Sequence, residues 1–67
     1  MVDYRKIFIE RRTELGISQY KLAKILGIAQ SYVSELERGR KKPSIEMFFR
    51  ICEVLDLEVI IEKRRTP

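Results

Sequence analysis

The sequence predicts an all-α domain of four short helices, followed by a short C-terminal β-strand. Three observations carry that prediction. Apolar residues recur at helical spacing in four successive segments, capping residues and glycines separate those segments, and the last apolar run partly alternates. Residues 1–57 then make one domain, and 58–67 a C-terminal strand and basic tail. A chain of 67 residues buries only about 60% of its unfolded surface. Its core must be tight or shared with a second copy.

Asp3 is placed to cap a first helix reaching Leu15, with Tyr4, Ile7, Phe8 and Leu15 on one flank and Arg5, Lys6 and Glu10 away from it. Gly16 ends it. Ser18 caps a second helix whose Leu22, Ala23, Ile25 and Leu26 form the inward stripe, while Tyr20, Lys21 and Lys24 point out, and Gly27 closes it. The third helix covers Gln30 to Arg38, and Gly39 suits the left-handed position after its last turn. Two short helices joined by a tight glycine-containing turn make a helix-turn-helix candidate.

Pro43-Ser44 opens a fourth helix running to Leu55, with Ser44 as its cap. Ile45, Phe48, Phe49, Cys52 and Leu55 read as its core stripe, and Met47, Ile51 and Val54 as a second stripe facing outward. Leu57 to Lys63 is β-rich, with Val59 and Ile61 on one side of the strand and Ile60 on the other. An isolated strand leaves its own backbone unpaired. The expected partner is the same strand of a second copy, which makes Met47, Ile51, Val54, Val59, Ile60 and Ile61 the expected dimer interface. A fifth helix is the alternative reading of this segment.

Fourteen Lys and Arg against ten Asp and Glu give a net charge of +4, which favours a polyanionic partner, nucleic acid or an acidic membrane surface. No apolar run approaches the roughly 18 residues needed to span a bilayer, and Met1-Val2-Asp3-Tyr4 lacks the pattern of a secretory signal. The expected location is cytoplasmic, with no membrane partner. With no His and a single cysteine, Cys52, the usual metal clusters and Ser-His or Cys-His nucleophile pairs cannot be assembled. Neither an enzyme nor a cofactor is expected.

On a wheel of about 100° per residue, Val33 and Leu36 of the third helix face inward. Ser31, Ser34, Glu35 and Arg38 share the opposite side, with Gln30 at the N-terminal end. Gln pairs with an adenine edge, Glu accepts from cytosine N4, Arg suits guanine or phosphate, and Ser donates or accepts. A merely solvated face is the competing reading. Glu37 falls within about 40° of Val33, so its carboxylate needs a cation, for which Arg12 is the candidate. Arg38-Gly39-Arg40-Lys41-Lys42 places cations beside the helix end, suited to phosphates or simply to solubility.

The segments "GISQYKLA", "LGI" and "ELERGRKKPS", in this order and together with Arg12, Val33-Ser34, Ile51 and Leu55, carry a family resemblance. The sequence resembles the Cro/C1-type, or Xre, helix-turn-helix regulators over residues 4 to 57. That resemblance implies a lambda-repressor-like domain on double-stranded DNA, working as a homodimeric repressor on a near-palindromic operator. By position it assigns Gln30, Ser31, Ser34 and Glu35 to base reading, Ser18, Gln19, Arg38 and Arg40 to phosphates, and Arg12 with Glu37 to an internal ion pair, while the charge of Lys41 and Lys42 in the same run adds them to the expected phosphate contacts. Ala29 departs from the usual Ser or Thr cap, Glu35 brings a negative charge toward DNA, and Arg11 replaces an apolar residue. The C-terminal strand is similar to that of the family's antitoxin branch. The alternative function is accordingly a module that binds a toxin or another protein.

Overall fold

The side chain of Asp3 accepts the Arg5 amide at 3.0 Å and so starts α1 (Tyr4–Glu14). Ser18 does the same for α2 (Gln19–Leu26), accepting from the Lys21 amide, and Ser44 for α4 (Ile45–Val54), accepting from Met47. Each oxygen satisfies a first-turn N–H that has no partner inside its helix. Between them α3 (Gln30–Glu37) begins at Ala29, whose backbone is extended as a cap should be but which has no side-chain oxygen to offer. This computed structural model describes residues 3–63, so Arg64–Pro67 of the expected basic tail lie outside the described residues.

All four helices end in one doubly bonded turn. After α1, Ile17 N–H donates to Arg12 O and Gly16 N–H to Thr13 O; after α3, Arg40 donates to Glu35 O and Gly39 to Leu36 O. The turns after α2 and α4 repeat this through Ile28 and Gly27, and through Leu57 and Asp56. The residue that reverses the chain takes a left-handed conformation, and after α4 it is Asp56 at φ 55°. In three of these turns the next residue is apolar, Ile17, Ile28 or Leu57, and packs against the core. After α3 it is Arg40, which is exposed. Nothing apolar pulls that loop inward, so the cationic segment stands at the surface.

Phe8, Leu22, Ala23, Leu26, Val33, Leu36, Ile51, Cys52 and Leu55 make the core. Each large apolar side chain buried there stabilises the fold by about 1.5–3 kcal/mol. The rings of Tyr4, Phe8 and Phe48 join α1 to α4 at centroid distances of 5.4 to 5.7 Å. Burial raises the pKa of the Cys52 thiol, which keeps it in the neutral form suited to a core.

The structure corrects the expected facing of α4. Ile51 is 2% exposed and belongs to the core, and Met47 and Val54 pack partly buried against it, so they form no outward stripe. The apolar residues left outside are Ile45, 72% exposed, and Phe49, 44% exposed, both expected inside. The cause is the width of the apolar arc. Met47, Val54, Ile51, Leu55, Phe48, Cys52, Ile45 and Phe49 cover about 220° of the helix at about 100° per residue. The core meets the middle of that arc and leaves one edge free. Ile7 and Ile25, also expected inward, sit at similar margins of α1 and α2 and are exposed, and Leu15, on the Phe8 side, is exposed because it lies past the end of α1 as its C-cap residue.

The expected strand is absent from the single chain: residues 57–63 form neither strand nor helix, which also removes the fifth-helix alternative for the described residues. A strand needs a neighbour to accept its backbone hydrogen bonds, and no other described segment is extended beside it. Val59, Ile60 and Ile61 are exposed.

Candidate nucleic-acid interface

Val33 and Leu36 fix the orientation of α3 by burying one side of it against α2 and α1. The opposite side carries Gln30, Ser31, Ser34, Glu35 and Arg38, exposed or half-buried. Among the described residues no intramolecular hydrogen bond engages a side chain of these five. One amide group, two hydroxyls, a carboxylate and a guanidinium would ordinarily be drawn into such bonds where a fold needs them. Here their full donor and acceptor capacity faces outward.

Arg12 and Glu37 lie behind that face and hold it in place. Arg12 Nε donates to Glu37 Oε2 at 2.7 Å and Nη2 to Oε1 at 3.0 Å, a two-pronged pair across which α1 grips the last turn of α3. Arg12 Nη1 also donates to Ile17 O at 2.9 Å, at the entry to α2. Gln19 Nε2 completes the network with a 2.8 Å bond to Glu37 Oε1. The side chains are 15% and 9% exposed, so the charges are largely desolvated yet fully paired.

Gln19 therefore plays a part that its sequence position did not reveal. One of its two N–H donors is committed to Glu37, which fixes the amide between α2 and α3 and leaves a single N–H for any outside acceptor. Ser18 is exposed beside it, its oxygen already accepting the Lys21 amide while its hydroxyl hydrogen stays available. Arg40, Lys41 and Lys42 are exposed, and the amides of Arg40 and Lys41 both converge on Glu35 O, at 2.9 and 3.4 Å. That pairing lays the basic loop back along α3 rather than letting it swing free.

Three further cations, Arg5, Arg11 and Arg50, make contacts that the sequence did not assign to them. Arg5 pairs with Asp3 through Nε and Nη2, and its guanidinium packs directly on Gly39 at the start of the basic loop. The Arg5 side-chain hydrogen bond holds the Asp3 carboxyl below its ordinary pKa, and Asp3 raises that of Arg5. Arg11 Nε donates to Leu55 O at 2.9 Å, and Nη2 lies 3.6 Å from Asp56. A guanidinium there meets the carbonyl end of α4, where a positive charge is favoured. This explains why an apolar side chain is not required at that position. Arg50 Nη2 likewise donates to Leu26 O, at 3.0 Å, closing the end of α2. Arginine within reach of another helix's C-terminus is the only signal that could have marked them, and it is visible only once the helices are packed.

Among the described residues there is no group of acidic, His or Cys side chains able to hold a metal ion, and no helix long and apolar enough to cross a membrane. The family model for the helix-turn-helix matches residues 8–60 of the chain. The ImmF control region 10 kDa protein of Bacillus phage phi105 is 32% identical over 66 residues, covering 94% of this chain and 73% of that protein. An uncharacterized HTH-type transcriptional regulator of Methanothermobacter thermautotrophicus is 38% identical over 56 residues, 84% of this chain and 81% of its own length. The HTH-type transcriptional regulator SinR of Bacillus subtilis is 41% identical over 49 residues, 72% of this chain and 44% of SinR. No solved structure matches the chain significantly.

Proposed function

Because the chain belongs to the helix-turn-helix family of DNA-binding transcriptional regulators, we propose that it is a homodimeric repressor of a near-palindromic operator. One α3 enters the major groove at each half-site. The observation that most supports this reading is the division of α3 into a side locked by Val33, Leu36 and Glu37 and a side whose polar groups are all free. Gln30 and Glu35 then read base edges, Gln30 suited to adenine and Glu35 to the N4 donor of cytosine, with Ser31 and Ser34 between them. Arg38, Arg40, Lys41 and Lys42, with the hydroxyl of Ser18 and the remaining N–H of Gln19, hold phosphates and set the register.

The second copy is supported by the exposed Val59, Ile60 and Ile61 and by the exposed edge of α4 at Ile45 and Phe49. Extended residues of two chains can satisfy each other's backbone, which one chain cannot do alone. A different protein, such as a toxin, docked on the same apolar residues is the second reading. We further propose that the protein works in the cytoplasm, where its operator would be.

Selection of bound duplexes from a random DNA library tests the proposal. A two-fold symmetric motif is expected, with half-sites about 34 Å apart and bound on the order of 10³-fold more tightly than a scrambled duplex. Gln30→Ala should shift preference at individual base pairs, whereas Lys41→Ala should weaken all sequences alike. An enriched motif without symmetry would remove the dimer, and no motif at all would remove base reading by α3.

A further inference from the structure

Tyr32 is the one aromatic residue of α3, and neither the groove face nor the core accounts for it fully. It lies on the flank between Glu35 and Leu36, packed by one edge against the core and partly exposed on the rest. Lys41 Nζ sits over its ring, 5.6 Å from the centroid. The backbone of the loop arrives there by design of the turn, since the Arg40 and Lys41 amides both donate to Glu35 O. An ammonium over a ring face is attracted by the ring's quadrupole, and only part of its surface is used in that contact. Lys41 is otherwise exposed, so its ammonium keeps N–H donors for an outside acceptor.

From this arrangement we propose that Tyr32 is a positioning residue for DNA binding: its ring holds the Lys41 ammonium on one flank of α3, ready for a phosphate at the edge of the groove. The inference rests on the DNA-binding reading of α3. An unrestrained lysine samples many rotamers and must be ordered when a phosphate binds, whereas one already docked on a rigid ring loses less freedom. The tyrosine is suited to this because its ring is anchored in the core and cannot follow the lysine away. Its effect is independent of DNA sequence, since it acts through a phosphate contact.

A double-mutant cycle on a mixed-sequence DNA duplex tests it, using the full chain and Tyr32→Leu, Lys41→Gln and the double variant, with Tyr32→Phe as the conservative exchange. Tyr32→Leu should weaken binding about threefold, and the same exchange in the Lys41→Gln background should change nothing further. Tyr32→Phe, which keeps the ring, should restore the affinity. In the free protein the Lys41 ε-methylene protons should be shifted upfield by the ring, in the unaltered chain and in Tyr32→Phe. Additive losses, or a Tyr32→Phe variant as weak as Tyr32→Leu, would overturn the proposal while leaving DNA binding intact. Absence of duplex binding by the unaltered chain would overturn both. If Tyr32→Leu does not fold, the proton shift decides, and unshifted Lys41 resonances refute the contact.

Discussion

Arg12 joins three helices with one planar group, and the energetic consequence belongs to that residue and its acceptors. Its fork meets both oxygens of Glu37, its third nitrogen meets Ile17 O, and Glu37 also holds Gln19. Glu37→Ala would leave a largely desolvated guanidinium with one carbonyl and would free the Gln19 amide. Removing one partner of a fully buried pair costs about 3–5 kcal/mol, and the residual exposure here reduces that to about 2–3 kcal/mol. Combined with Arg12→Ala, the loss should be smaller than the sum by about 1–2 kcal/mol. Urea denaturation of the two single variants and the double checks this, and simple additivity would show that the pair is not coupled. The pair was legible in the sequence because a carboxylate near the inward side demands a cation. Gln19's share was not, because an amide makes no such demand and its contact is set by how α2 crosses α3.

At the scale of elements, the helix boundaries were legible because they are written in local chemistry. Asp3, Ser18 and Ser44 cap, and Gly16, Gly27 and Gly39 turn, in the positions their side chains or lack of them favour. The facing of α4 was not legible. An apolar arc wider than half the helix does not fix by itself which part of it faces inward, and in the packed molecule, where Phe48 meets Phe8, Ile51 is inside and Phe49 outside. The same local chemistry exposes a weak point at α3, whose cap is Ala29. Its φ of −71° and ψ of 144° already suit a capping residue, so Ala29→Ser adds an oxygen without moving the chain. The substitution should stabilise the domain by about 1 kcal/mol, raising Tm by about 4–8 °C in a chain of this size. Thermal unfolding followed by circular dichroism measures it. An unchanged Tm would mean that the first turn of α3 is held by its packing on α2 and not by its cap.

The whole molecule is more open than its length requires. A radius of gyration of 13.0 Å and a long axis of 46 Å compare with a radius of about 11 Å for a close-packed chain of this length. Residues 57–63 leave the last helical turn at Asp56 without folding back into regular structure, and Ile60 and Ile61 are 70% and 86% exposed. Apolar, β-favouring residues with unpaired backbone tend to find a strand partner, and the proposed homodimer would use this segment for that pairing. Ile61→Asp puts a charge into the segment proposed to pair, at an exposed position outside the core. It should shift the protein from dimer to monomer in sedimentation equilibrium and weaken binding to a full operator by at least tenfold, about 1.4 kcal/mol. Binding to a duplex carrying a single half-site should stay as it was, because α3 and the basic loop are unaltered. That difference between full site and half-site separates loss of the second copy from damage to the reading face. A variant that remains dimeric and keeps its operator affinity would move the interface away from the C-terminal segment, to the exposed edge of α4 at Ile45 and Phe49.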